Sequence, residues 1–315
     1  MAGEFEMSFE AFNAVLLAVF AGVPIVMLFV VRRDSWGTTM VYRMSVRAKL
    51  PIDSWDMWRS IRDRSRALVG ANMWGLLVSV ALMAALLVWT PLGSSPFALW
   101  ILTLTLVIGV LGVASAIVGV RERLFSPAPT AVRIARPSAL ATRDYLPGWA
   151  SQLPRWSLGA GAAGGAVVTA VSLTGAISPT TAVTTVVALA FALVVAVVCR
   201  VAERRVLAQP QPATNTLELG WDDLFRADAL GALRMSAAMA AWLPLGLAMC
   251  ALFLAALGFA DPGVSRVLQT FPWFGIPFIQ VVYTLASGRL PARLYPEYLR
   301  GAPEPAPAYT GGAPA

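Results

Sequence analysis

AAGGAVVTAVSLTGAISPTTAVTTVVALAFALVVAVV, residues Ala162–Val198, contains no Asp, Glu, Lys, Arg or His. At 1.5 Å per residue, about 20 such residues cross a hydrocarbon core about 30 Å thick. Ile177-Ser178-Pro179-Thr180 divides the stretch in two, so it reads as a helical hairpin that enters and leaves a bilayer. Comparable runs lie on both sides of it. The spans expected from them are about Phe12–Val31, Val69–Thr90, Phe97–Val120, Ser157–Ile177, Thr180–Cys199, Met235–Ala260 and Phe271–Ser287. The first is too long and too poor in basic residues at its start for a signal peptide and is read as a retained helix. The last contains Pro272, Gly275 and Pro277, so a re-entrant helix competes with a full crossing there.

Composition agrees with lipid as the solvent. The chain is 58% hydrophobic and 13% charged, with mean hydropathy +0.69, outside the range of soluble globular domains. Its formal charge of +7 would suggest nucleic acid in a soluble protein. The placement of the charge argues otherwise. Of 24 basic residues, the loops at 32–68, 121–156 and 200–234 and the tail after residue 287 hold all but Arg266. Seven spans put those four segments on one face, and the positive-inside rule makes that face cytoplasmic. The expected fold is therefore an all-α polytopic plasma-membrane protein, N-terminus out and C-terminus in, with short interfacial helices on the cytoplasmic side. Residues 1–298 form one transmembrane domain, and 299–315, rich in Pro, Ala and Gly, a disordered tail.

The chain has no histidine. That removes zinc peptidases of the H-E-x-x-H type, bis-His haem and Ser-His-Asp triads. The expected spans also lack any ionisable group of the kind ion-coupled carriers hold at mid-depth, at a cost of roughly 2.5–3.5 kcal/mol each. Cys199 and Cys250 lie in apolar runs and read as packing residues. No cofactor or metal is expected.

Two segments carry amphipathic patterns. In Asp53–Leu68, Trp55, Trp58, Ile61 and Leu68 share one side, while Asp56, Arg59, Arg62, Asp63 and Arg66 take the other, with Asp53 as the expected cap. In Trp221–Leu233, Asp222 and Asp223 are expected in the first helical turn, where carboxylates favour the positive dipole end. This accounts for the acidic pair without a divalent metal. Trp55, Trp58, Arg59, Arg62, Trp221, Asp222 and Phe225 are the candidate contacts to anionic lipid headgroups or to a protein partner. The loop at 121–156 closes on a related segment, Arg143–Trp149, so the three loops share a kind of ending rather than an identical sequence.

Gly159–Gly164 spells G-x-G-x-x-G, but no strand precedes it and an apolar run contains it, so a dinucleotide site is not expected. Gly161, Gly164 and Gly165 instead read as a small-residue face for close helix packing. Gln280, Tyr283 and Thr284 share a face of the last expected span and are the candidate lining of a solute path.

Three functions compete. The first is a non-catalytic membrane subunit, permease-like or accessory, with a protein partner on the cytoplasmic side or a second copy of itself. The second is a stand-alone transporter of a hydrophobic or neutral solute. The third is a lipid-acting enzyme relying on Asp144, Asp222 and Asp223. Co-purification of a stoichiometric subunit separates the first from the second, and Asp222→Asn with Asp223→Asn tests the third.

Overall fold

A computed structural model describes residues 9–89, 141–211 and 213–257, with isolated positions at 109, 112–114, 117–119, 121 and 279. Among them the regular structure is helical: α1 (Phe9–Arg32), α2 (Asp34–Ala48), α3 (Trp55–Trp89), α4 (Thr142–Tyr145), α5 (Gly148–Ser172), α6 (Pro179–Ala208) and α7 (Thr216–Leu257). Among the described residues three helices are long and apolar enough to cross a membrane: α3 (over Trp55–Ala85), α6 and α7. The expected spans at 97–120 and 271–287 lie outside the described residues apart from a few positions. So do the tail and Gln280, Tyr283 and Thr284.

Helix α6 shows most plainly what solvent the fold is built for. Its buried stripe is Ala182, Thr185, Ala188, Ala192, Val195, Cys199 and Ala202, at helical steps of three and four. Those residues are mostly small. The larger Val183, Val187, Val194 and Val197 point outward, each 61–62% exposed. In water this arrangement wastes the hydrophobic effect and presents a large apolar patch. In lipid, helices gain by bringing small faces together and leaving branched side chains to the acyl chains. Helix α1 has the same outward valines, Val15, Val19, Val23 and Val26.

Helix α7 is the hub, packing along α5 and α6 and carrying most of the buried residues of its 42. The glycine face of α5 meets it closely. A Cβ on Gly164 would stand 2.8 Å from the Ala248 Cβ, and one on Gly161 would stand 3.2 Å from the Pro244 ring. Gly165 faces α6 instead, 3.7 Å from Thr185. The shared seam of α6 and α7 is filled by Ala188, Ala192, Val195, Ala237, Ala240 and Leu243.

The helix boundaries correct several expectations. Asp53–Leu68 is not a separate interfacial helix: no Pro or Gly interrupts Trp55–Val69, and α3 runs unbroken from it into the apolar run. Trp221–Leu233 likewise continues into the run that starts at Met235. Ser54, not Asp53, receives the Met57 amide at the start of α3 (3.2 Å). At the start of α7, Asn215 accepts from the Glu218 amide (2.7 Å) and Glu218 accepts from the Thr214 amide (2.6 Å), a reciprocal cap. That cap sets the helix start at Thr216, so Asp222 and Asp223 fall in its second turn rather than its first. Helix α5 ends at Ser172, short of the expected Ile177. Gly175 at φ 78° turns the chain there, and Ser178 with Pro179 starts α6.

Candidate functional site

The charged ends of α1, α2, α3, α6 and α7 and the start of α5 converge at one end of the bundle, its base. They meet through their charged groups. Arg226 on α7 donates through Nε to Asp222 Oδ2 at 2.8 Å, and its other nitrogens reach the carbonyls of Val206, Gln209 and Pro210 at 2.9–3.2 Å. Those carbonyls close the C-terminal end of α6, where a cation is favoured. Gln211 donates to both Asp222 (3.1 Å) and Asp223 (2.8 Å), and the Tyr145 hydroxyl of α4 donates to Asp223 (3.2 Å). Asp223 is fully buried.

A second lock joins α5, α6 and α7. Arg234 donates to Glu203 Oε2 at 2.7 Å and to the Ser151 carbonyl at 2.9 Å. Its Nε stands 2.5 Å from Glu203 Oε1, an ion-pair contact that is not aligned as a hydrogen bond. Glu203 lies below the apolar run that ends at Cys199. Arg200 donates to the same carboxylate at 3.2 Å. At the outer edge Arg66 donates to the carbonyls of Arg32 and Arg33 and to Asp34, tying α3 to the end of α1.

The apolar part of the base is a cluster around Trp221, which is fully buried among Val41, Met44, Leu50, Met57, Trp58, Ile61, Leu224 and Phe225. The indole N–H of Trp221 donates to the Pro51 carbonyl at 3.0 Å. Of the residues expected at a lipid or partner surface, Trp58, Trp221, Asp222 and Phe225 are thus inside the fold. The buried side of lower α3 is Met57, Trp58, Ile61 and Ser65 rather than the expected Trp55, Trp58, Ile61 and Leu68, and lower α7 is buried on all sides, because α2, α3 and α7 cover one another. Arg62 is partly enclosed, its guanidinium 4.8 Å from the Trp58 ring centre and paired with Asp63 and Asp34. Trp55 and Arg59 alone of the expected set face outward. Trp55 is 41% exposed, stacks on Trp58 at 4.5 Å, and lies under the Arg59 guanidinium.

Helix α2 and the pairs Glu203–Arg234 and Arg47–Asp228 were missed in sequence. The signal for α2 was there: Gly37, Val41, Met44 and Ala48 recur at helical spacing within a polar loop, and all are buried. For the ion pairs there was none, since each joins residues far apart in the chain. Arg47 and Asp228 meet at 2.7 Å across α2 and α7.

Comparison with protein-family models, curated proteins and solved structures finds no match.

Proposed function

We propose that the chain is a non-catalytic integral membrane subunit of a larger complex, crossing the plasma membrane seven times with its C-terminus inside. Its base is the cytoplasmic platform on which a protein partner docks. The observation that carries this reading is the locked base. Arg226, Arg234 and Trp221 tie the ends of α2, α5, α6 and α7 together, and α3 and α7 pass from base to apolar run without a break. A platform whose parts are held by buried charge and indole contacts can present a fixed surface to a partner and transmit its position to the spans. The outward Trp55–Arg59 edge is the docking surface, because tryptophan and arginine supply large contact area and directional donors at protein interfaces.

The test begins with the full chain extracted from native membranes in mild detergent. A protein retained in stoichiometric amount is the expected result, and a monodisperse lone chain overturns the reading. Trp55→Ala with Arg59→Ala should release that partner while leaving the unfolding temperature in place. Orientation is tested with Arg59→Cys and Arg205→Cys, since the native Cys199 and Cys250 are buried. Both introduced thiols should label from the cytoplasmic side. Labelling from opposite sides overturns the map.

A further inference from the structure

Where α2, α3 and α7 meet, they enclose a partly open cavity of about 130 Å³. Its apolar walls are Met40 and Met44 of α2, Leu68 and Val69 of α3, Phe225, Ala229 and Ala232 of α7, and Val118 with Gly119; its polar lining is Arg47, Arg64, Ser65 and Asp228. The position is as telling as the lining. Leu68-Val69 is the point at which α3 passes from the arginines at 62, 64 and 66 into its apolar run, and Ala232 lies one turn below Met235. The cavity is charged at its lower end and apolar above.

Most of its polar groups are already engaged. The Ser65 hydroxyl donates to the Ile61 carbonyl at 2.8 Å, and the Arg64 guanidinium lies 4.9 Å from the centre of the Phe225 ring. Asp228 holds Arg47. Arg47 is different. Its side chain is 44% exposed and makes one hydrogen bond, through Nη2, out of the five N–H donors that a guanidinium carries. Planar paired donors of that kind suit phosphate.

We propose that this cavity holds an anionic phospholipid of the surrounding leaflet, its phosphate on Arg47 and the first methylenes of a chain against Leu68 and Val69. The boundary between headgroup and acyl chain of such a lipid falls where the lining changes from charged to apolar, and a soluble anion would gain nothing from the upper walls. This inference rests on the bilayer placement proposed above and not on the existence of a protein partner.

The experiment is native mass spectrometry of the full chain in detergent, titrated with phosphatidylglycerol or with zwitterionic phosphatidylcholine. The wild type should retain one phosphatidylglycerol at roughly tenfold lower concentration than phosphatidylcholine. Arg47→Gln should abolish the preference. Asp228→Asn, which breaks the same ion pair but frees Arg47, should strengthen it. Loss of structure would move both variants the same way, so the opposite signs separate ligand contact from folding. Leu68→Trp, which fills the cavity and keeps Arg47, should also release the lipid, and Arg204→Gln, at an exposed arginine of α6 away from the cavity, should retain it. Equal retention of the two lipids, a shared direction for Arg47→Gln and Asp228→Asn, or displacement by millimolar inorganic phosphate would overturn the proposal. Alkaline extraction of the chain into the soluble fraction would instead remove the bilayer placement on which it rests.

Discussion

In the lower half of α3, Trp55 and Arg59 face outward beside a buried Trp58, whereas in the lower half of α7 Trp221, Asp222 and Phe225 are all enclosed. Both segments combine aromatic residues and charges at helical spacing, and both continue into an apolar run. The difference lies in what their charges can reach. Asp222 has Arg226 one turn away, and Arg226 has three carbonyls at the end of α6, so the polar face of α7 is satisfied while buried. On α3, Arg62 and Arg66 find Asp34, but among the described residues Arg59 meets the face of Trp55 and stays exposed. Whether an amphipathic helix ends inside or outside depends on the partners available to its polar face as much as on its apolar one.

The largest effect expected from this contrast is at Arg226. Arg226→Leu leaves Asp222 buried without its cation and withdraws the donor from Val206, Gln209 and Pro210, a loss of about 3–5 kcal/mol for a broken buried pair. Thermal unfolding in detergent should show it, and Asp222→Asn in the same chain should recover part of the loss, since the two residues are directly coupled. Trp221→Phe comes next. It keeps most of the ring but strips the Pro51 carbonyl of its donor, at a cost of about 1–3 kcal/mol. A smaller change of opposite sign is expected at Lys49, which ends α2 in the left-handed region at φ 55° and leads into Pro51. Lys49→Gly should stabilise by about 0.5–1 kcal/mol, because glycine reaches that conformation without the Cβ clash. Lys49→Ala, equally uncharged, should not.

The apolar runs of α3, α6 and α7 were legible because a run of about 20 residues without charge has few other uses. The glycine face of α5 was legible for a related reason: only close approach explains so many small residues in a long helix. The split of that face was not, since Gly161 and Gly164 turn to α7 while Gly165 turns to α6, which depends on how three helices are arranged. The base was read least well. Periodicity reports that a helix has an apolar side; it carries no information on whether lipid, a partner or the chain itself covers that side. Trp221 meets Trp58 and Val41 across 163 and 180 residues of sequence, and Glu203 meets Arg234 from a different helix. Helix starts failed for a local reason. Asp53 is a good cap by type, but Ser54 takes that role on α3, and Asn215 starts α7 a turn before the Asp222–Asp223 pair expected in its first turn.

The smallest expected effect on stability is the one that distinguishes the two segments functionally. Trp55 is 41% exposed and Arg59 lies over its outer face, so truncating both should cost less stability than Trp221→Phe, about 1 kcal/mol or below for the pair. If the pair costs as much as Trp221→Phe, the outward edge is part of the core and the contrast with α7 disappears. If it costs little, two outcomes still separate what the edge serves. Release of a bound protein with unchanged membrane retention assigns the edge to a partner, as proposed. Weaker adhesion to anionic vesicles, with no protein released, assigns it to headgroups, where an indole at the interface and an arginine near phosphate would be equally at home. The stability measurement therefore has to come first, because only a residue that the fold does not need can report on what lies outside it.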